Sequence, residues 1–177
     1  DGILLVKLVN RSSGFEILVG ACYFPPENSP WGRNTTEYFG HLLCQLYLHS
    51  DVESILLLGD FNSRIGSLQD IIDCMDSIAK RHIIDESINQ HGRAFIDFLN
   101  DGRLCILNGR FDECFDNFTS VSTKGRAVVD YICVPHDVFP LCSDFRVDTC
   151  NTIVEKYNLY QLLGNRSKVP DHAVLLT

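Results

Sequence analysis

The stretch Ile55-Leu56-Leu57-Leu58-Gly59-Asp60-Phe61-Asn62 decides how the rest of the chain is interpreted. Four consecutive aliphatic residues followed by a glycine predict a short, fully buried strand. Where this strand ends, Asp60 and Asn62 share one face and Phe61 points to the other. A carboxylate beside a carboxamide can accept a proton from water and hold a phosphate oxygen or a hard metal ion. A polar turn is the alternative, because Gly, Asp and Asn are common turn residues.

Length and composition are those of one ordinary globular domain. The 177 residues are 45% hydrophobic and 21% charged, which is enough for a hydrophobic core. The formal net charge of −8 argues against a broadly basic protein that coats nucleic acid, but it allows phosphodiester chemistry at a local site. No apolar run approaches the roughly 20 residues that span a bilayer, so no membrane partner is predicted. The eight cysteines include no Cys-x-x-Cys pair, which predicts reduced thiols and an intracellular protein, nuclear or cytoplasmic.

Strand patterns dominate the chain, with helical segments between them. Strands are predicted over 3–9, 16–24, 55–58, 104–107, 117–121, 127–134, 145–150 and 173–177, the last of them buried. The first two form an antiparallel hairpin. Helices are predicted from an N-cap at Thr36 to Ser50 and, after a turn over 89–92, over 93–100. A helix or an irregular insertion fits 70–84, and a helix or a long loop fits 155–163. The pattern predicts one α+β domain over 1–177, with helices covering a sheet or a pair of sheets.

Polar side chains lie at the ends of several of these strands. They are Tyr23, Asp60 with Asn62, Asn108, Asp130, and the pair Asp171-His172 just before the last strand. Single residues at strand ends are the usual way in which an active site is assembled on a rigid β scaffold.

In this order, the segments resemble the motifs of the endonuclease/exonuclease/phosphatase superfamily, above all the apurinic-endonuclease-like nuclease domains of non-LTR (LINE-type) retrotransposons. Residues 21–26 resemble the Tyr-x-Pro motif, and residues 58–62 followed by 64–66 resemble the Gly-Asp-Phe-Asn motif in the retrotransposon style. Residues 89–92 and 104–108 are similar to the central Asn-x-x-Gly and Leu-x-x-Asn segments. Residues 125–132 resemble the Ser-x-Ile-Asp-Tyr-Ile strand, and residues 170–172 the terminal Ser-Asp-His.

The resemblance implies a DNase I-like, four-layer α/β sandwich in which two facing, mainly antiparallel sheets are flanked by helices. It also implies a divalent cation, Mg²⁺ or Mn²⁺, and hydrolysis of phosphodiester bonds in DNA. The family's metal-binding Glu, which lies in an N-terminal Gln-Glu motif, has no counterpart here, since Glu16 and Glu27 lie in other contexts. Ala127 and Pro170 stand where the family has Ser.

These departures indicate a domain that lacks its N-terminal strands and belongs to a longer polypeptide, which could also carry a reverse transcriptase. We expect such a piece to expose a sheet edge and apolar surface, and therefore to have poor solubility. Three functions remain open at this point. They are DNA cleavage as a retrotransposon-type endonuclease, which loss of the metal-binding Glu could abolish, a phosphatase of the same superfamily, and a non-catalytic remnant.

The resemblance also suggests a role for each polar residue. Asp60 would orient or deprotonate the attacking water and, with Asp171, bind the metal. Asn62 would donate a hydrogen bond to the phosphate, with an Asx turn as the alternative. His172 would bind the scissile phosphate as a cation, supported by Asp130 through its other ring nitrogen.

Tyr23 and Asn108 each have a structural alternative of similar weight. The hydroxyl of Tyr23 would reach the phosphate or the leaving group, or the ring would pack against Pro25. Asn108 would bind substrate or cap the turn after its strand. Asn117 and Thr119 are weaker candidates.

Overall fold

A five-stranded mixed sheet lies at the centre of the computed structural model, which describes residues 2–72, 77–163 and 169–177. In chain order the elements are β1 (Ile3–Val9), β2 (Glu16–Tyr23), α1 (Thr35–Leu48), β3 (Ser54–Asp60), α2 (Gln90–Asp101), β4 (Leu104–Ile106), β5 (Ser120–Ser122), β6 (Gly125–Ala127), β7 (Asp130–Pro135), β8 (Arg146–Asp148), α3 (Cys150–Lys156), α4 (Tyr160–Leu163) and β9 (Val174–Leu176). The central sheet has the order β1-β2-β3-β7-β4, and β5–β6 and β8–β9 form two small sheets. The predicted α+β class is confirmed.

Strand register brings three polar positions into one row. The predicted hairpin of β1 and β2 is confirmed as antiparallel. Strand β2 then pairs parallel to β3, which places Tyr23 beside Asp60. Strand β3 pairs antiparallel to β7, which places Asp60 beside Asp130. Because residues directly opposite each other project to the same face of a sheet, these three side chains share one face.

Helices α1 and α2 cover the other face of the central sheet through a cluster of aromatic rings. Phe61 is fully buried there, as its predicted direction requires. Its ring stacks on Phe95 with 4.5 Å between the centroids, and Phe24 packs edge-on against Phe39 at 4.7 Å. Aromatic pairs in these geometries add to the stabilisation from area burial. The loop after β3 is therefore anchored by Phe61 while Asp60 and Asn62 stay outside the core.

The face that carries Asp60 is covered over only part of its width. Phe145, Val147 and Leu175, from the β8–β9 region, pack against Ile132 and Val134 of β7. This cover does not extend to β1, where Leu4, Val6 and Leu8 are 62%, 41% and 51% exposed. We call these three residues the β1 apolar strip.

The partial cover also explains why one burial prediction is wrong. The segment 55–58 was expected to be fully buried, but only Leu57, which faces the helices, is buried. Leu56 and Leu58 project to the partly covered face and are half-buried.

Two strand predictions near the C-terminus are also wrong. Residues 127–134 form two strands, because the backbone between them bonds to side chains. The N–H of Val128 donates to Asp85, and the N–H of Val129 donates to the Thr119 hydroxyl. The last strand, β9, was expected to be buried, but Val174 is exposed and its neighbours are only half-buried.

The helix boundaries differ from the sequence-based ones at their N-termini. The predicted turn over 89–92 is the start of α2, in which the Asn89 side chain accepts from the Gly92 N–H at 2.7 Å. Helix α1 begins before the predicted cap Thr36, and Asn34 at the cap position makes no side-chain cap bond. The described parts of 70–84 are irregular, and 155–163 contains the end of α3 and all of α4.

Two further expectations concern the whole chain. Within the described ranges, no helix has the length and apolar character needed to cross a membrane. The cysteines that the structure describes carry free thiols, and Cys74 lies outside the described residues.

Candidate active site

The end of β3 presents Asp60 and Asn62 through two unusual backbone conformations. Gly59 has φ +137°, and a Cβ at this position would lie 1.9 Å from the carbonyl oxygen of Cys22. Only glycine fits such a close approach. Asn62 has φ +47°, in the left-handed region that Asn tolerates better than most residues. The chain therefore turns sharply on both sides of Asp60.

Asn62 positions the Asp60 carboxylate. One carboxylate oxygen accepts from the Asn62 backbone N–H at 2.8 Å, and the other accepts from Asn62 Nδ2 at 3.0 Å. Asn62 Nδ2 also donates to the carbonyl oxygen of Phe24 at 2.8 Å. Both hydrogens of this amide are thus engaged within the protein. Asn62 therefore forms the turn that the alternative interpretation predicted, and it also lies at the site.

Asp130 and His172 form a hydrogen-bonded pair. Nδ1 of His172 lies 3.0 Å from each carboxylate oxygen of Asp130. Burial lowers the pKa of His172, but the charge and hydrogen bond of Asp130 outweigh it and raise the pKa above its ordinary value. The pKa of Asp130 is raised above its ordinary value, because the effect of burial exceeds the opposing effects of the Thr119 hydrogen bond and the His172 charge. With Nδ1 turned towards Asp130, the other ring nitrogen of His172, Nε2, is left to face a ligand.

Asp60, Asp130 and His172 come together in one group, with one ligand atom from each lying within 4.8 Å of the others. Burial raises the pKa of Asp60 to about 6, and the charge of Asp130 adds to this against the hydrogen bonds from Asn62. Carboxylate oxygens are the ligands that Mg²⁺ and Mn²⁺ prefer, and an imidazole is acceptable to Mn²⁺. The donor set therefore fits a divalent cation.

Helix α2 is attached to the Asn62 loop through Asn89. The Asn89 side chain donates to the Asn62 carbonyl at 3.0 Å and accepts from the Arg64 N–H at 2.9 Å. A Cβ on Gly92 would lie 1.9 Å from the Arg64 carbonyl oxygen, so glycine is required where the helix meets the loop. The Arg64 guanidinium makes two hydrogen bonds to Asp85, of 2.9 and 2.6 Å. The loop is thereby fixed from both sides.

Thr119 links Asp130 to the segment that carries His172. Its fully buried hydroxyl accepts from the backbone N–H groups of Val129 and Asp130, each at 3.0 Å. Its carbonyl accepts from the N–H of Ala173 at 2.7 Å, and the next residue, Ser120, bridges to His172. One residue thus sets the relative position of both members of the pair.

These elements enclose a depression of about 390 Å³. Asn62, Arg64, Asn89, Ser120 and His172 line it, and we call it the His172 basin. Because His172 supplies a cation at its wall and Asn62 joins the basin to Asp60, the basin can accept an anionic group such as a phosphate beside a carboxylate base.

The remaining candidates from the sequence lie differently. Tyr23 is 58% exposed and lines a neighbouring cleft. Asn108 is buried, with its amide donating to the Asp130 carbonyl and accepting from the Ile132 N–H. Asp171 precedes His172 but is not part of the group formed with Asp60 and Asp130.

Sequence reasoning gave too little weight to three residues of the site. Thr119 was ranked low, and Asp85 and the contacts of Arg64 were not anticipated. The sequence does contain one signal for the contact between α2 and the Asn62 loop, which is the pair Asn89 and Gly92. Asn89 is an N-cap residue, and the glycine three positions later allows the loop backbone to lie against the helix.

No protein-family model matches the chain, and no curated protein matches it. Solved structures do match it in fold. A 3′ phosphatase, NExo, from Neisseria, bound to product DNA hairpin, has a TM-score of 0.60 at 17% identity over 97% of this chain. The 3′-5′ exonuclease NExo from Neisseria meningitidis has a TM-score of 0.59 at 16% sequence identity over 97% of this chain. The endonuclease domain of TRAS1, a telomere-specific non-LTR retrotransposon, has a TM-score of 0.59 at 16% sequence identity over 98% of this chain.

The predicted DNase I-like fold of the endonuclease/exonuclease/phosphatase structures is therefore confirmed. The chain spans 62%, 62% and 61% of the lengths of these three structures.

Proposed function

We propose that the protein hydrolyses phosphodiester bonds of DNA with the help of a divalent cation. The observation that carries this proposal is the group of Asp60, Asp130 and His172, in which a carboxylate of raised pKa lies beside an Asp-supported imidazole. The fold it shares with NExo, which in one structure is bound to a product DNA hairpin, and with a retrotransposon endonuclease domain adds support.

In this mechanism the substrate phosphate lies in the His172 basin. The imidazolium form of His172, which the Asp130 carboxylate stabilises, donates a hydrogen bond from Nε2 to a non-bridging phosphate oxygen. Asp60, oriented by Asn62, accepts a proton from the attacking water, for which a pKa of about 6 is well suited near neutral pH. Proton transfer to a positioned base of this kind contributes about 10²- to 10⁴-fold to a rate.

Mg²⁺ or Mn²⁺ would be held by a carboxylate oxygen of Asp60. When bound, the cation neutralises charge that develops on the phosphate and on the leaving oxygen. The resemblance of residues 170–172 to the family's terminal motif makes Asp171 the candidate second ligand, and Asp171 lies directly beside His172 in the chain. Any cation on Asp130 would compete with its bond to His172, so Asp60 is the principal ligand we assign.

Within this reaction class we propose a retrotransposon-type DNA endonuclease in the nucleus or cytoplasm, with a reverse transcriptase on the same parent polypeptide. Residues 58–62 and 64–66, which resemble the retrotransposon style of the motif, support this choice. A phosphatase is the second candidate, because a 3′ phosphatase has the same fold at an equal level of similarity. It would use the same basin for a terminal phosphate.

Nicking of supercoiled plasmid in Mg²⁺ or Mn²⁺ tests the proposal, with release of phosphate from a 3′-phosphorylated hairpin as the parallel assay. We expect nicking that Asp60→Asn and His172→Gln each reduce by at least 10²-fold, whereas His41→Gln on the exposed face of α1 leaves it unchanged. Phosphate release without nicking would favour the phosphatase. Activity that survives both substitutions would refute the proposed site, and DNA binding without hydrolysis in either assay would favour the non-catalytic alternative.

A further inference from the structure

Two aromatic side chains are exposed next to the His172 basin. Trp31, the only tryptophan of the chain, is 76% exposed, and Tyr23 is 58% exposed. Both line one cleft of about 320 Å³, together with Pro25 and Pro26. Large aromatic rings that remain exposed side by side are typical of a surface that binds a ligand. We call this cleft the Trp31 cleft.

The backbone under Trp31 is held rigidly, which is unusual for an exposed loop. Its carbonyl accepts from the Tyr38 hydroxyl at 3.2 Å. The following residue, Gly32, is buried, and its carbonyl is bonded at 3.0 Å by Nε2 of the buried His91. A Cβ on Gly32 would lie 2.1 Å from the Pro26 carbonyl oxygen, so the loop can close in this way only with glycine. A loop backbone that is fixed in advance reduces the entropy lost when a ligand binds to its side chain.

The Trp31 cleft is continuous with the His172 basin. Pro26 lines both, so the two depressions adjoin each other at this residue. Tyr23 is also the register partner of Asp60 in the parallel pair of β2 and β3. A chain molecule whose phosphate lies in the basin can therefore place its adjacent group in the cleft.

The lining of the cleft selects the chemistry of that group. Among the described side chains, the lining contains aromatic rings, prolines and Ser29 and none that is charged, whereas the basin is lined by Arg64, His172 and Glu27. Flat, apolar walls suit a planar group rather than a phosphate.

From these observations we infer that the Trp31 cleft binds an unpaired nucleobase of the strand whose phosphate occupies the His172 basin, by stacking on Trp31 and Tyr23. This inference rests on the proposed action on DNA. It adds a separate subsite, which would favour single-stranded, flipped or frayed nucleotides over continuous duplex.

Fluorescence of the unmodified protein and of an oligonucleotide that contains 2-aminopurine tests the inference in EDTA, where no hydrolysis occurs. We expect single-stranded DNA to quench Trp31 emission, and an oligonucleotide with abasic sites to leave it unchanged. Trp31→Ala and Tyr23→Ala should each remove quenching of 2-aminopurine and weaken binding about 5- to 150-fold, the range that loss of one stacked base would give. Tyr157→Ala, at an equally exposed tyrosine just after the end of α3, should change neither.

Three results would overturn the inference. Equal quenching by the abasic strand would mean that the backbone, and not a base, contacts Trp31. Trp31 emission that depends on protein concentration without DNA would mean that a second copy occupies the cleft. Unchanged affinity of Trp31→Ala for single-stranded DNA would mean that no base stacks on Trp31. Plasmid nicking by the unmodified protein separates these results from failure of the proposed function, since nicking would continue if only the subsite were wrong.

Discussion

Nδ1 of His172 lies 3.0 Å from both carboxylate oxygens of Asp130, so a single carboxylate fixes the ring from one side. The His172 side chain is 48% exposed and that of Asp130 only 12%. A buried carboxylate that supports a half-exposed imidazole sets the tautomer and keeps the outer nitrogen protonated. This relationship joins β7 to the segment before β9, two parts of the chain 42 residues apart.

Asp130→Asn should lower the pKa of His172 and reduce hydrolysis. The raised pKa of His172 depends on the charge of Asp130, which the amide lacks. We expect the pKa to fall to or below its ordinary value and the rate near neutral pH to drop about 10²- to 10⁴-fold. NMR titration of the His172 ring measures the first effect. Asp97→Asn, at an exposed position on α2, is the matched control, and an unchanged His172 titration in Asp130→Asn would refute the coupling.

Asp60→Asn should abolish activity and yet stabilise the fold at neutral pH. The pKa of Asp60 is about 6 in the folded protein, against roughly 3.9 in an unfolded chain. Because the folded state binds its proton more tightly, ionisation of Asp60 destabilises the fold fully above pH 6, and this cost disappears below about pH 4. Urea unfolding should show Asp60→Asn more stable than the wild type at pH 8 but not at pH 4. Asp144→Asn, at an exposed residue, should show no such difference, and a loss of stability in Asp60→Asn at pH 8 would contradict the assignment.

The sequence was sufficient for features that depend on near neighbours. Alternating residues in β1 and β2 predicted their hairpin, and the contact between Asp60 and Asn62 spans only two positions. It was insufficient where a distant residue decides the local structure. Residues 127–134 are mostly β-branched or apolar and favour one strand, but bonds from Thr119 and Asp85 divide them. The burial of β3 likewise depends on which elements cover the sheet, and the sequence of β3 itself does not reveal this.

Asp70→Asn should cause a large loss of stability that is greatest above about pH 4 and shrinks as the pH falls further. Asp70 is fully buried and makes two hydrogen bonds to Arg110, of 2.8 and 2.9 Å. Burial raises the pKa of Asp70, but the hydrogen bonds and charge of Arg110 exceed it and the pKa lies below its ordinary value. Its contribution is thus present above the unfolded pKa and is lost as the pH falls through the folded pKa.

Breaking a buried pair of this kind costs about 3–5 kcal/mol, which chemical denaturation at pH 7 can measure. The difference between Asp70→Asn and the wild type should shrink at pH 3. Lys7→Met serves as the control, because it breaks a surface ion pair with Glu16 and should leave the free energy of unfolding nearly unchanged. A difference that is the same at pH 7 and pH 3 would contradict the charge-based explanation.

The β1 apolar strip should make the 177-residue chain self-associate. Its three side chains, Leu4, Val6 and Leu8, lie on an edge strand of the central sheet, where both apolar surface and unpaired backbone groups are open to another copy. Sedimentation velocity should show oligomers for the wild type and a shift to monomer for Leu4→Lys with Leu8→Lys. Leu48→Lys, at an isolated exposed leucine at the end of α1, should not have this effect. A monodisperse wild-type monomer would count against the prediction.

Gly59→Ala should damage the site beyond its effect on stability. Gly59 combines φ +137° with a carbonyl 1.9 Å from the place of a Cβ, so alanine both strains the backbone and pushes β3 away from β2. The strain alone costs about 1–3 kcal/mol. Because Asp60 follows directly, its carboxylate should move away from Asp130 and His172, and activity should be lost even at temperatures where the variant is folded. Gly40→Ala is the matched control, since a Cβ at this helical position meets no atom within 4 Å and should stabilise α1 by about 1 kcal/mol. Full activity of folded Gly59→Ala would mean that the turn at the end of β3 does not position Asp60.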